Sequence, residues 1–250
     1  MDRDHRRGYL EITSFSARFD SPLRLLADTF RLFLARFGFL AGVTLLVYLP
    51  GHLLYQFAAA TFAIPSNGIL SFILLEALDL LLSSLAIPAI VYGLVRTRSD
   101  GIGAALRWGR RQWMRTLGTQ VLVEITVLLY GALLIVPGLI AMMRLALAPV
   151  IVAIEADREA HPLERSRALS RGRLWRLAAV LVPLGLVDLG ANFLLLARIT
   201  GVDHARVAFA AAESGLAVVG QLTTIAALLM YRGLVGPPLP GTLVKAPRKG

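Results

Sequence analysis

The sequence predicts an all-α polytopic membrane protein, with six transmembrane helices and three amphipathic helices at the membrane surface. Hydrophobic residues make up 56% of the 250 residues and the mean hydropathy is +0.68. A soluble domain of this size needs more polar residues to cover its core. Several long stretches contain no charged residue, and the longest lies between Arg36 and Glu76. Because a spanning helix needs roughly 20 mostly apolar residues, these stretches provide the spans.

The first amphipathic helix is predicted from Pro22 to Arg36. Ser21 is a suitable N-cap, Pro22 suits the first helical turn, and apolar residues then recur at helical spacing through Leu26, Phe30 and Phe33. The first span is expected at about residues 37–57 and the second at about residues 69–95, since both are uncharged over most of a bilayer thickness. A short loop joins them.

A second amphipathic helix is predicted over residues 101–115, where Arg107, Arg111 and Arg115 recur every four residues along one face. It leads into span three, at about residues 116–135. Span four opens at Pro137 and runs to about residue 156, which gives roughly 30 Å at 1.5 Å per residue. This span carries Arg144 in its interior.

A third amphipathic helix is predicted from Pro162 to Arg171, after which Gly172 lets the chain turn into span five. Span five covers about residues 174–197 and span six about residues 207–229. The chain therefore divides into a polar lead over residues 1–20, a six-span membrane domain over residues 21–234 and a tail over residues 235–250. The composition of this tail is typical of disorder.

The basic residues predict the orientation. Of the 26 Lys and Arg, 23 lie before span one, between spans two and three, between spans four and five, or after span six. The positive-inside rule therefore places both termini in the cytoplasm, and we expect a multi-pass protein of the bacterial inner (cytoplasmic) membrane. The net charge of +10 follows from this bias and suits anionic lipid, so no nucleic-acid partner is expected.

Membrane lipids are the expected partners of the arginines in the three amphipathic helices. Guanidinium groups at the inner surface attract the phosphates of anionic head groups. The expected contacts come from Arg24, Arg31, Arg107, Arg111, Arg165, Arg167, Arg171 and Arg173. The unit of amphipathic helix followed by hairpin occurs three times, and duplication of a stable hairpin is favoured over a transporter repeat as its explanation.

A resemblance rests on the residues around span four. The blocks Val136-Pro137-Gly138 and Leu145-Ala146-Leu147-Ala148-Pro149-Val150, with Ser166, Leu169, Ser170 and Trp175 after them, resemble the YciC-type inner-membrane proteins and the related membrane domain beside some glycerophosphodiester phosphodiesterases. It covers chiefly residues 132–182. The resemblance implies a helical protein of the bacterial inner membrane, mostly without assigned activity. No portion outside the spans is large enough for the phosphodiesterase domain.

The spans contain several ionisable or amide side chains, which are costly in lipid and are usually paired or functional. This predicted polar network consists of Arg144, Glu76, Asp79, Glu124, Asp188, Asn192 and Glu213. Arg144 is expected to have a direct acidic partner, with Glu76 and Asp188 favoured by depth. The network is either structural, fixing helix packing, or it lines a cavity for ions or a polar head group. The acids outnumber the single Arg144, which cannot neutralise all of them, and this keeps the interpretation as a cavity open.

Reaction motifs are lacking. The chain has no cysteine, its four histidines show no metal-ligand spacing, and Ser214 has no nucleophile elbow around it. We therefore expect no enzyme, no cofactor and no metal. The favoured function is a noncatalytic accessory or scaffold subunit that packs against lipid, a larger membrane complex or another copy of itself. The alternative is a transporter or channel that uses the intramembrane Arg and carboxylates.

Overall fold

The computed structural model describes residues 21–64, 68–95, 101–155, 161–199 and 206–235, with the backbone alone for residues 195–199 and 206. The predicted polar lead lies outside these residues, as does the tail beyond Val235. Helices account for nearly all of the described residues, and no strand occurs among them. The helices are α1 (Pro22–Ala35), α2 (Phe37–Thr61), α3 (Ile69–Val95), α4 (Ile102–Leu133), α5 (Ile135–Leu145), α6 (Ala148–Ile154), α7 (Pro162–Ser170), α8 (Leu174–Ile199) and α9 (Arg206–Val235).

Six segments are long and apolar enough to cross a membrane, which confirms the predicted fold class of an all-α, six-span protein. They are α2, α3, α4, the pair α5 and α6 taken as Ile135–Ile154, most of α8 (Leu174–Leu194) and α9 from Val207. The chain is an integral membrane protein. The location of the amphipathic helices at the membrane surface stays a prediction.

The centre of the bundle is formed by α2, α6 and α9, with α3 beside them. Helix α9 packs most extensively on α2, and α3 on α4. The short α6 is enclosed by α3, α4, α7 and α9, so that Val150, Ile151, Val152 and Ala153 are all buried. The outer helices instead expose many large apolar side chains, as expected of surfaces that face acyl chains.

The second amphipathic helix is not a separate element, and that prediction is wrong. One helix, α4, runs without a break through residues 101–115 and span three. Its 32 residues give about 48 Å, well beyond a bilayer core of about 30 Å. The stretch contains no proline, so nothing removes a backbone hydrogen bond where the amphipathic part meets the apolar part.

Span four is broken, whereas a continuous helix was expected. Helix α5 ends at Leu145 and α6 begins at Ala148, because Pro149 has no N–H to donate to the Leu145 carbonyl and its ring crowds that group. The break is sealed by α7, where the Ser166 hydroxyl donates to the Arg144 carbonyl at 2.7 Å. The Ser170 hydroxyl lies 3.4 Å from the same oxygen and 3.1 Å from the Arg167 carbonyl, and it can donate to either. These bonds tie α7 to the bundle and satisfy a backbone group that lipid would leave unpaired.

Helix α1 has the predicted bounds to within a residue and ends at Arg36, where the backbone leaves helical geometry. It packs against α9 and α8 and buries Leu25, Leu32 and Phe33. Of the predicted apolar stripe, Phe33 is therefore turned to protein, while Phe30 is exposed.

The hairpin of α4 and α5 turns through a single residue, Leu134. Gly138 makes this possible, since a Cβ there would lie 2.7 Å from the Cα of Gly131 on the facing helix. That contact fixes the register of the two antiparallel helices. Glu124 lies seven residues before Gly131 and Arg144 six residues after Gly138. At 1.5 Å per residue both are about 10 Å from the contact and hence at the same level.

Candidate functional site: a buried histidine between two carboxylates

His52 lies in the middle of α2, inside the long uncharged stretch of the chain. Its side chain is only 2% exposed and points between α3 and α9. Nine residues separate it from the end of α2 at Thr61, so the ring is about 14 Å from the predicted outer end of the helix. A polar ring at this depth needs partners for both of its nitrogens.

Both ring nitrogens of His52 have partners from other helices. Nε2 lies 2.8 Å from Oδ1 of Asp79 on α3. Nδ1 lies 3.2 Å from Oγ of Ser214 and 3.9 Å from Oε2 of Glu213, both on α9. The imidazole therefore connects two carboxylates, one on each side of the ring.

The four side chains come from three helices but share one layer. Asp79 lies ten residues after the start of α3 and Ser214 eight residues after the start of α9. These positions are about 15 and 12 Å deep, matching the depth of His52. Because α2 and α3 form an antiparallel hairpin and α9 starts at the same predicted outer end, helix packing alone aligns these positions.

The hydrogen-bond partners suit His52 in two protonation states. In the neutral ring, Nε2–H donates to Asp79 and Nδ1 accepts from the Ser214 hydroxyl. In the imidazolium, Nδ1–H donates to the Ser214 oxygen, whose hydroxyl can donate to the Ala210 carbonyl at 2.7 Å. The change needs only a rotation of the hydroxyl hydrogen. The ring can therefore gain or lose a proton without moving any heavy atom.

The two carboxylates differ in their surroundings. The side chain of Asp79 is 45% exposed, whereas that of Glu213 is 13% exposed. The Oε2 atom of Glu213 is buried without a hydrogen-bond partner among the described residues. Glu213 thus lies on the buried side of the ring, 3.9 Å from Nδ1, whereas Asp79 on the other side is partly exposed on the chain.

Further polar groups continue from this centre. The ring of Tyr48, one turn along α2, meets the His52 ring edge to face with centroids 5.7 Å apart. Ser83, one turn beyond Asp79, accepts a hydrogen bond from Nε2 of Gln120 on α4 at 3.2 Å. Buried apolar residues surround these groups, so the polar layer is confined to the seams between helices.

The predicted polar network is only partly assembled. Asp79 and Glu213 join His52, and Asp188 lies near both Asp79 and Gly220, where a Cβ would be 3.5 Å from its Oδ1. Asn192 is exposed and donates to the backbone carbonyl of Asp188 at 2.9 Å.

Three members of the network, Glu76, Glu124 and Arg144, lie on the surface of the chain instead. Glu76 is close enough to Asp79 and Glu124 for like-charge repulsion. Arg144 forms no ion pair with a carboxylate of the described residues, so the expected partnership with Glu76 or Asp188 is not found there. Arg144 is the tenth residue of a 20-residue span. Its side chain is therefore too far from either end of the span to reach the membrane surface by snorkelling. An unpaired arginine at a helix centre costs at least about 2.5 kcal/mol on insertion scales.

The predicted lipid-contacting arginines are exposed with one exception. Arg165 is half-buried and its Nε lies 3.7 Å from Oε1 of Glu155, to which the Tyr231 hydroxyl also donates. This side chain is held within the protein. The exposed ones are Arg24, Arg31, Arg107, Arg111, Arg167, Arg171 and Arg173. Their contact with phosphates stays a prediction.

His52 and Ser214 are the functional candidates that the sequence reasoning missed. The histidines were considered only as metal ligands, and no group of three metal-binding side chains occurs among the described residues. The available signal was the position of His52, an ionisable residue in an otherwise uncharged span. Its partners on α3 and α9 are 27 and 162 residues away in sequence, and no local pattern shows that they meet.

A catalytic triad was considered as an alternative, since it needs a nucleophile, a base and an orienting acid, and Ser214, His52 and Asp79 have these residue types. Ser214 is completely buried, and its hydroxyl has a second partner in the Ala210 carbonyl of its own helix. A nucleophile must instead face a site that admits substrate. The geometry therefore fits proton exchange better than acyl transfer.

No protein family, curated protein or solved structure matches this chain. The resemblance to YciC-type proteins stays a prediction.

Proposed function

We propose that this chain is a membrane transport protein in which His52, Asp79 and Glu213 exchange protons within the bilayer. The observation that carries the proposal is the buried imidazole of His52, which contacts a carboxylate from α3 and a hydroxyl from α9 at mid-depth. Chains of Asp, Glu and His inside spans are typical of proton relays in pumps and transporters. This proposal is the transporter alternative of the sequence analysis, except that His52 and not Arg144 is the basic residue among the intramembrane carboxylates.

The surroundings favour a relay over a fixed structural bridge. A structural bridge would satisfy every buried polar atom, whereas Glu213 keeps one buried oxygen without a hydrogen bond among the described residues. The side chain of Asp79 is 45% exposed on the chain, so one of the two carboxylates is not enclosed by the helices.

The cellular setting is proposed on the basis of the charge distribution. The protein would lie in a bacterial inner membrane with both termini in the cytoplasm, as the position of 23 of its 26 basic residues favours. Seven of the eight arginines expected to contact lipid are exposed, which supports binding to anionic head groups. On this proposal the chain performs no covalent chemistry and needs no cofactor. Membership of the YciC-type proteins is likewise a proposal, supported by the blocks around span four.

A proton-flux measurement tests the transport function. The purified chain in liposomes, with a pH-sensitive dye inside and a potassium diffusion potential across the membrane, should carry protons at a rate above that of empty liposomes. His52→Ala and Asp79→Asn should each lower that rate by at least about tenfold, since each breaks the relay at one step. His161→Ala, at an exposed histidine, is the matched control and should leave the rate unchanged. A wild-type rate equal to that of empty liposomes would contradict the proposal.

An accessory or scaffold function is the second candidate, and a different observation favours it. Glu76, Glu124 and Arg144 are exposed on the chain at membrane depth, where acyl chains cannot stabilise charge. Another protein surface could cover them. A chain that copurifies from native membranes with another protein at fixed stoichiometry, and that carries no protons alone, would favour this function over transport.

A further inference from the structure

The hairpin formed by α4 and α5 exposes charged residues next to apolar ones. We call this surface the hairpin face, defined by Glu124 and Arg144 together with the exposed apolar side chains around them. Those side chains are Leu128, one turn from Glu124, and Ile140, one turn from Arg144, each more than a third exposed. Lipid can cover the apolar part. It cannot accommodate the two charges, which lie near the middle of their spans.

The register of the hairpin places the two charges side by side along the membrane normal. Gly131 and Gly138 are in backbone contact, so Glu124 on α4 and Arg144 on α5 lie at one level. Each side chain is exposed, and no ion pair joins Arg144 to a carboxylate within the described part of the chain. A single copy therefore presents Arg144 and Glu124 at equal depth, with the exposed Glu76 close to Glu124 as a second acid.

We propose that a second copy of this chain covers the hairpin face, with Arg144 of each copy paired to Glu124 of the other. A two-fold axis normal to the membrane leaves the depth of every residue unchanged. Residues at one depth in one copy therefore meet residues at the same depth in the other copy. A surface that carries both signs at one depth is complementary to itself under this operation. A partner of a different sequence would need no such balance of charge.

The absence of cysteine makes cross-linking a direct test, because a single introduced thiol can form a disulfide only between two chains. Leu128→Cys places the thiol on the hairpin face and leaves both charges in place. Leu54→Cys on α2 is the matched control, with 72% exposure against 74% for Leu128. Oxidation in membranes should link Leu128→Cys chains as dimers at least about tenfold faster than Leu54→Cys chains. Equal rates would overturn the proposal.

Charge reversal tests the pairing itself. In detergent, Arg144→Glu and Glu124→Arg should each abolish the dimer of the variant alone, because each places like charges together twice. A mixture of the two variants should restore the dimer, since both contacts in the mixed pair then join opposite charges. Arg107→Glu, at an exposed arginine near the start of α4, is the control and should leave the dimer intact.

Two further results would reject the second copy. A wild-type chain that stays monomeric at high protein-to-detergent ratio means that lipid or another protein covers the face. Variants that fold as monomers but do not pair on mixing mean that Glu124 and Arg144 do not meet between copies. If the charge variants fail to fold, the cysteine comparison decides alone, because Leu128→Cys keeps every charged side chain. Neither experiment depends on proton transport, so the dimer and the proposed function can fail separately.

Discussion

The His52 centre and the hairpin face contain ionisable residues at similar depth, yet the chain treats them in opposite ways. His52, Asp79 and Glu213 meet at the seam of α2, α3 and α9, and the imidazole is almost fully buried. Glu124 and Arg144 project from α4 and α5 and have no partner of opposite charge among the described residues. Charge at one depth is thus neutralised inside the chain at one place and left to the surroundings at the other.

The difference follows from how the helices pack. Helices α2 and α9 form the largest interface of the bundle after that of α3 and α4, so a polar group on the inner face of α2 needs partners from the same chain. The hairpin of α4 and α5 exposes many large apolar side chains towards its end at Leu134. Its outward side chains meet no other helix. Polar groups on these side chains therefore indicate what surrounds the chain in the membrane and not how its core is packed.

The largest effect is expected from His52→Leu. The variant removes both hydrogen bonds of the ring and leaves the mostly buried Glu213 next to an apolar side chain. We expect the free energy of unfolding to fall by about 2–3 kcal/mol, because the change leaves the polar partners of the ring without their hydrogen bonds. Unfolding titrations in mixed micelles measure the change.

The control for this prediction is His161→Leu, at an exposed histidine before α7, which should change stability by no more than about 0.5 kcal/mol. Adding Asp79→Asn to His52→Leu should recover part of the loss, since it removes a carboxylate that no longer has a partner. A His52→Leu variant as stable as the control would mean that the ring contributes nothing to the packing of α2 on α9.

The next effect concerns the hairpin itself, through Gly138→Ala. The new Cβ would lie 2.7 Å from the Gly131 Cα, a backbone atom that moves only if α4 and α5 separate. We expect a loss of about 2 kcal/mol, because overpacking outweighs the better helix propensity of alanine. Gly131→Ala is the matched substitution, since its Cβ would meet nothing within 4 Å. Equal stabilities for the two variants would show that the glycines are not in contact.

A smaller effect is expected where α7 seals the break in span four. Ser166→Ala removes the donor at 2.7 Å from the Arg144 carbonyl and should cost about 1–2 kcal/mol, the cost of leaving a buried acceptor unpaired. Ser170→Ala removes a weaker bond of 3.4 Å and should cost less. Amide hydrogen exchange of α6 checks the same point, since exchange there should accelerate more in the first variant. The reverse order would contradict the assignment of the carbonyl's partner.

The sequence predicts most of this fold because a bilayer requires long apolar helices. The six spans follow from length and the absence of charge, and Pro22 and Ser21 correctly mark the start of α1. The break in span four was also visible as Pro149, but the bond from Ser166 of α7 to the Arg144 carbonyl beside it joins residues 22 apart, and no local pattern shows it. The continuity of α4 was missed because an amphipathic pattern followed by an apolar one was interpreted as two elements.

The candidate site was less predictable, for a physical reason. Depth along a span can be counted, which is why Glu76 and Asp188 were favoured as partners of Arg144. The direction in which a residue points depends on helix rotation and on which helices are neighbours, and six apolar helices contain little periodicity to fix either. Arg144 was therefore expected to lie inside with the acids, although the structure places it outside.

Arg144→Leu should have the smallest effect on the stability of the single chain. The side chain is exposed and pairs with no carboxylate of the described residues, and it stays within the bilayer whether the helices are packed or separated. The free energy of unfolding of the monomer should therefore stay within about 0.5 kcal/mol of wild type, as for other exposed substitutions. Measured in dilute detergent, where any dimer has dissociated, a loss close to that of His52→Leu would mean that Arg144 belongs to the inner polar network after all. If the stability of the monomer is unchanged and the dimer is lost, Arg144 acts only through contacts between chains.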